Sequence, residues 1–291
     1  MYNIIVNSSH VVQNSLNNNY NYQFKQGSVE IPENCECMIT AASIPYSFYN
    51  ITQKYNNNQF KFYYPTGTNT YTAFTIIIPD GFYTQSTFSS YLQQWSIDNK
   101  LYMVDASGNN FYFFSYAANT TLYANQLILR VVPTVAPAGF TTPVGFPGFP
   151  TVARTCYIEI LALSTSNFSK YIGLTPATYP AVPVSQTTTY NVSSNIIPLT
   201  TTVNNLVIKC SLVNNGTSNA SDILDSFNIG SSPQTTFGSN LNFQNSIEKF
   251  VNISSGRFNN ISITIVDQNL NDITILDPNI LISILIRKKK F

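Results

Sequence analysis

Charge is what this 291-residue chain has least of. Its 14 Lys and Arg and 13 Asp and Glu make up 9% of the residues, against about 25% in an ordinary soluble domain. A folded monomer of 32.4 kDa would expose roughly 12,000 Å², or about 450 Å² for each charge. A free-standing monomer normally carries a dense mixture of both signs, so so sparse a surface points to one that is shared with partners. The net charge of +1 excludes a general nucleic-acid binder, which needs a basic stripe to neutralise phosphates. Histidine is nearly absent: His10 stands alone, which removes most acid–base and metal chemistry. Four cysteines, Cys35, Cys37, Cys156 and Cys210, are too few for a disulfide framework in a chain of this length. No window approaches the roughly 18 consecutive apolar residues of a membrane-spanning helix. Residues 1–12 lack a basic region followed by a long apolar run, so no secretory leader is expected. The Asn-x-Ser/Thr matches at Asn7, Asn50, Asn119 and Asn252 are what chance yields in so Asn- and Thr-rich a chain, and synthesis in a reducing, intracellular site is expected.

What fills the gap is neutral polarity and aromatic mass. The chain has 36 Asn, 19 Tyr and 20 Phe, and 44% of its residues are hydrophobic, enough to exclude disorder. Most of it reads as short β-strands between turn residues. Segments 59–64, 71–78, 37–44, 111–116, 126–132, 155–163, 203–212, 259–266 and 280–287 are rich in β-branched and aromatic residues. In the last of these, Ile280, Ile282, Ile284 and Ile286 share one face at period two, with Leu281 and Leu285 opposite. A strand apolar on both faces belongs between two layers or against another subunit. Asp267–Asp272 and Asp105–Gly108 read as hairpin turns. One helix stands out over 84–100, with Phe88, Tyr91, Leu92 and Trp95 at helical spacing and Thr84 or Ser86 as its N-cap. A weaker helical stretch runs through 165–171, ahead of Gly173.

This pattern predicts an all-β fold, a β-sandwich or barrel, with long loops, one short helix and an insertion. An eight-stranded roll closes in about 150–180 residues, which leaves more than 100 here. The expected division is an N-terminal arm over 1–25 and a sandwich domain over 26–291, with an insertion or long-loop region at about 105–200. The Pro/Gly/Phe run at 133–150 cannot enter a sheet interior, and its phenylalanines need a cover.

Chemical constellations are few. Cys35-x-Cys37 has the wrong gap for a zinc knuckle and reads as buried thiols. A Cys–His nucleophile pair has only His10 to draw on, so no catalytic residue, cofactor or metal is expected. The alternating oxygens of Asp267–Asp272 suit a calcium loop weakly and a plain turn far better. Trp95 reads as the core anchor of its helix. The one dense charge cluster is Arg287, Lys288, Lys289 and Lys290, a contact for an interior nucleic acid, an anionic membrane or an acidic patch of a neighbour, or else a solvated guard on a greasy terminal strand. Tyrosines could build a sugar-stacking face, but no cluster can be singled out from 19 of them.

Three stretches taken together carry a resemblance. The first is Ser43-Ile-Pro-Tyr-Ser-Phe-Tyr-Asn-Ile51, followed by Asn56-Asn-Asn58 and a strand. Ile78-Pro-Asp-Gly-Phe-Tyr-Thr84, leading into the amphipathic helix, is the second. The closing pair of strands, 259–266 and 273–286, is the third. This order resembles the penton, or minor capsid, proteins of virophages and of Maverick/Polinton-type viruses, and the Asn/Tyr-rich composition looks most like the Mavirus group. The resemblance implies a single jelly-roll β-sandwich and a structural virion protein, not an enzyme. It implies a homopentamer plugging each five-fold vertex of an icosahedral capsid, surrounded by a double-jelly-roll major capsid protein. Location in the virion, assembly inside the infected host cell, no specific nucleic acid, no transmembrane contact and a place open to the host surface follow from the same likeness. The alternative is a receptor- or glycan-binding spike or lectin-like β-sandwich. A trimeric major capsid protein and a β-sandwich hydrolase fit less well, the first for lack of length and the second for lack of a catalytic set.

Overall fold

The computed structural model describes residues 2–13, 15–119, 121–216, 220–233, 235–245 and 247–289. Two compact units divide the chain: one is built from 1–48 and 203–291, the other from 49–202.

The first unit is assembled from eight principal strands. One sheet runs in the order Tyr2–Asn7, Leu281–Lys288, Cys35–Pro45, Asn240–Gln244, and the other in the order Ile223–Asn228, Asn205–Cys210, Asn260–Asp267, Asn19–Gln23. All pairings in both sheets are antiparallel. Counted along the chain, the orders are first–eighth–third–sixth and fifth–fourth–seventh–second, the strand order of a jelly roll. The third and fourth strands are separated by the whole second unit. Alternation along each strand explains the core. Ile282, Ile284 and Ile286 point inward beside Ile4, Val6, Cys37, Ile39 and Ile44, and meet Tyr20, Leu206, Ile208, Ile261, Ile263 and Ile265 of the opposite sheet. Phe227 of one sheet stacks on Phe243 of the other with ring centroids 4.5 Å apart.

Residues 1–25, expected as an arm, carry two of these strands. Their Asn and Gln side chains face outward, while Ile4, Val6 and Tyr20 fill the core. The stretch 259–288 also differs from expectation. The turn at Asp267 forms, but Asn260–Asp267 and Leu281–Lys288 belong to different sheets, with 268–280 carrying the chain across. The polar stretch 213–240 holds the strand Ile223–Asn228 and is followed at once by the strand Asn240–Gln244.

The second unit starts earlier than the expected insertion. Its four-stranded sheet runs Ala177–Tyr179, Tyr157–Ile160, Gln59–Pro65, Tyr71–Ile77. Beside it lie a three-stranded sheet, Tyr190–Ser193, Ala124–Leu129, Phe114–Asn119, a smaller one, Phe140–Thr141, Tyr102–Asp105, Asn110–Tyr112, and the pair Val131–Val132 with Arg154–Thr155. Segments 59–64 and 71–78 were read as strands of the sandwich itself; period two identifies a strand but not its sheet. Helix α1 (Gln85–Asp98) packs on the strand Phe114–Asn119 and presents Phe88 and Leu92 to the core. Thr84 is its N-cap: its hydroxyl accepts the Thr87 N–H at 3.2 Å, while the Thr84 N–H donates to the Thr87 hydroxyl at 2.9 Å. Trp95 packs edge-on against Phe62 and Phe74, each at 5.7 Å, as a core anchor. Helix α2 (Phe168–Ile172) ends at Gly173, whose φ of +76° is left-handed. A Cβ there would lie 2.7 Å from the Ile196 carbonyl, so glycine is required on two counts.

The Pro/Gly run supplies its own cover. Phe140, Phe146 and Phe149 turn inward onto the core, Phe146 meeting Tyr64 at 6.1 Å and Phe140 meeting Phe111 at 5.7 Å. The valines of the same region, Val135 and Val144, face out instead.

Candidate interaction surfaces

Residues 49–58 of the first motif and 78–84 of the second meet in the second unit, while 43–48 and the closing strands belong to the first. Ile51 and Gly81 form an antiparallel bridge, with N–H to carbonyl distances of 3.2 and 3.0 Å. Asn50, buried, accepts the Tyr83 N–H and donates to both the Tyr83 and Thr200 carbonyls, each at 2.8 Å. Asn57 donates to the Asn50 carbonyl at 2.8 Å and accepts the Thr52 N–H at 2.9 Å. Asp80 caps the Gln53 N–H at 2.7 Å. These residues are the lock between the first segment of the unit, the turn before α1 and the last segment of the unit. Their role in this geometry is structural.

Residues weighed for chemistry are all occupied locally. His10 accepts the Asn7 N–H at 3.1 Å through Nδ1, and its ring lies 5.0 Å from Tyr22. All four cysteines are free and buried. Burial raises the Cys37 thiol well above its ordinary value, with nearby Cys210 and Glu36 adding to the effect. Burial likewise pushes Cys210 up to about 11 and holds Cys156 far above the usual thiol range. Such thiols stay protonated, and the thiolate is the form that attacks or ligates. Asp267 spends its carboxylate on a turn: Oδ1 accepts the Asn269 and Asn271 N–H groups at 2.8 Å, and Oδ2 accepts the Asn271 amide at 3.2 Å. Asp105 builds the same turn with Ser107 and Asn109. Among the described residues no three His, Cys, Asp or Glu side chains gather as a metal site would require.

The basic C-terminal cluster divides. The Arg287 guanidinium donates through Nε to Glu36 and through Nη1 to Glu248, both at 2.9 Å, and lies 3.4 Å over the Phe250 ring. The Arg287 and Glu36 side chains are only 18% and 15% exposed, so this pair is an internal tie. Lys288 is exposed, and the Lys289 N–H bonds the Asn34 carbonyl at 2.8 Å. Lys290 lies outside the described residues. Beside this end an open recess of about 150 Å³ is lined by Tyr2, Pro32, Cys35, Ile286, Arg287 and Lys288.

The outward faces of the sandwich are larger surfaces. On the sheet holding Leu281–Lys288, the outward row reads Asn3, Ile5 and Asn7; Leu281, Ser283 and Leu285; Ala41 and Ser43; and Asn240, Asn242 and Gln244. None of these is charged. Ile5 is 48% and Leu281 45% exposed, so the second apolar row on the terminal strand is not covered within the chain. The other sheet turns out Asn19 and Asn21, Ser262 and Thr264, Asn205 and Val207, and Ser226 and Asn228. Its outward charge is the ion pair of Lys209 with Asp222 at 2.9 Å, while Asp225 and Asp267 of the same sheet are sheltered. Sequence periodicity had marked Leu281 and Leu285; Ile5 was missed because its strand was read as an arm.

No protein-family model matches the chain, nor does any curated protein. Two solved structures are similar to it over nearly full length. The crystal structure of the mavirus penton protein shares 11% identity at a TM-score of 0.40, covering 99% of this chain and 98% of that one. A chain of the 3.5 Å cryo-EM structure of the Sputnik virophage shares 13% at 0.44, covering 98% and 97%. At scores below 0.5 these likenesses add nothing to the strand order already described.

Proposed function

We propose that the chain is a structural virion protein whose jelly roll forms pentamers at the five-fold vertices of an icosahedral capsid. The observation that carries this reading is the exposed apolar pair Ile5 and Leu281, continued by half-buried Leu285, on a sheet face whose charge is confined to the Arg287–Glu36 pair at one end. Fold alone does not decide function, since jelly rolls also serve lectins and cupins. A sandwich with two nearly charge-free flanks is suited to neighbours on both sides. A closed ring is a heterologous contact in which one face of each subunit meets a different face of the next. Asn, Ser and Thr make hydrogen bonds across such a contact without the desolvation cost of burying charge.

The sequence resemblance supplies the remaining parts of the reading: a double-jelly-roll major capsid protein as the peripheral partner, location in the virion, and assembly inside the infected host cell. The role is structural, not catalytic. With Arg287 tied to Glu36 and Glu248, contact with the interior or a neighbour falls to Lys288, Lys289 and Lys290.

Native mass of the purified chain tests the reading. Five copies of 32.4 kDa give 162 kDa, and five-fold rings in negative stain are expected with that mass. For a chain that is monomeric alone, the same test is reconstitution with the major capsid protein and imaging of the vertices. A stable trimer, or vertices that form without the chain, overturns it.

A further inference from the structure

The outer face of the four-stranded sheet in the second unit has no part in the capsid reading. There Tyr63 and Tyr157 stand opposite each other in register, their rings parallel within 10° and 4.2 Å apart. Tyr71 meets Tyr157 edge-on at 4.8 Å and donates its hydroxyl to the Pro183 carbonyl at 3.2 Å. The Tyr63 hydroxyl donates to Glu159 Oε2 at 2.6 Å, and Lys61 Nζ reaches the same oxygen at 3.3 Å. Burial first, then the bond to Glu159, raises the Tyr63 phenol, so it remains a proton donor. The rings are therefore held in fixed positions before any ligand arrives, which lowers the entropy cost of binding.

The patch also has unused capacity. Among the described residues nothing hydrogen-bonds the Tyr157 hydroxyl or Glu159 Oε1. The Lys61 and Glu159 side chains are 37% and 34% exposed. On the other side of Tyr63 its register partner is Ala73, exposed and small, followed by exposed Thr75 opposite Lys61. A tyrosine beside an alanine leaves a step on the sheet, with aromatic surface on one side and a carboxylate, an ammonium and a hydroxyl within reach.

A pyranose has matching chemistry. Its C–H face packs on aromatic rings, and its hydroxyls need donors and acceptors together. Lys61 and Glu159 neutralise each other at the centre of the patch, while Arg154, whose charge is felt at Tyr71, gives its guanidinium to the Thr68 and Ala153 carbonyls. We propose that Tyr63, Tyr71, Tyr157, Glu159 and Lys61, with the shelf at Ala73, form a binding site for a neutral carbohydrate. The site does not depend on the capsid reading.

The test is a printed array of neutral and anionic pyranose oligosaccharides probed with the full chain, followed by calorimetric titration of the retained sugar. Retention of a neutral glycan with a dissociation constant of about a millimolar or tighter is expected. Tyr157→Ala and Ala73→Arg should each weaken it about tenfold or more. Ala73 is exposed, so its arginine variant fills the shelf without disturbing the core, and its melting temperature and native mass should match the parent. Retention of no neutral glycan, retention of sulfated or sialylated glycans only, or undiminished binding by Ala73→Arg would each overturn the proposal. Loss of the ring assembly with sugar binding intact would count against the capsid reading alone.

Discussion

The side-chain amide of Asn50 pairs with both backbone groups of Tyr83, accepting its N–H and donating to its carbonyl at 2.8 Å each. The same nitrogen also reaches the Thr200 carbonyl at 2.8 Å. One buried side chain thus joins points 33 and 150 residues away along the chain.

Asn50→Ala should therefore strip three backbone groups of their partner and lower the stability of the second unit by about 3 kcal/mol, since each buried orphan costs roughly 1–3 kcal/mol. Asn50→Asp should be worse at neutral pH, because a carboxylate cannot donate and would face two carbonyl oxygens. Trp95, the sole tryptophan, lies in this unit, so denaturant unfolding followed by its fluorescence isolates the effect. An unchanged midpoint for Asn50→Ala would remove the clamp from this account.

The residues of this lock stand out in the sequence, since Asn50, Asn57, Asp80 and Gly81 fall within the two quoted motifs, but their pairing spans 33 and 150 residues and was not legible; α1 declares itself through Phe88, Leu92 and Trp95. The strands Asn19–Gln23 and Asn240–Gln244 were not legible. Asparagine is disfavoured in strands, and here it occupies only the outward positions while Tyr20, Leu241 and Phe243 hold the core. What makes them strands is pairing across long separations, Asn19 with Thr264 and Leu241 with Ile44. The Tyr63–Tyr157 pair is hidden for the same reason. The Arg287 cluster was misleading in a different way: its sequence shows a charge run, while its two carboxylate partners come from residues 36 and 248.

That tie makes the basic residues separable by experiment. Arg287→Ala leaves the sheltered Glu36 carboxylate without its partner and uncovers the Phe250 ring, so the first unit should unfold at a clearly lower denaturant concentration. Arg287→Lys should not rescue it fully, since an ammonium cannot bond two carboxylates and lie flat on a ring at once. Lys288→Ala and Lys289→Ala should each stay within about 0.5 kcal/mol of the parent. Far-UV circular dichroism, set against the Trp95 signal, separates the two units. Equal effects at all three positions would contradict the division of the cluster.

The turn at Asp105 gives a pH dependence with a fixed sign. The Asn109 N–H, the Asn109 amide and the N–H groups of Ser107 and Gly108 hold its carboxyl below the ordinary 3.8. A group whose folded value is depressed contributes stability that is complete above its unfolded value and is lost as pH falls through the lower, folded one. The amide proton of Asn109, followed by NMR, should titrate with a midpoint below 3.8. Asp105→Asn should abolish the transition. A midpoint at or above that value would mean the carboxylate does not hold the turn.

The outward row on the terminal strand leads to the most direct assembly prediction. In register Ile5 faces Ser283, and Leu281 and Leu285 lie on its two diagonals, close enough for one apolar contact with a neighbour. A lysine at Ile5 or Leu281 would point into water in the isolated chain, where such surface changes are usually worth no more than about 0.5 kcal/mol. In an assembled ring the same ammonium would be buried opposite uncharged Asn, Ser and Thr, with no carboxylate to pair it, at a cost of several kcal/mol in each contact. Ile5→Lys and Leu281→Lys should therefore melt like the parent yet fail to form rings. Ser283→Thr, on the same face but uncharged, should assemble. If both lysine variants assemble normally, this sheet is not the contact, and the ring must close through another surface.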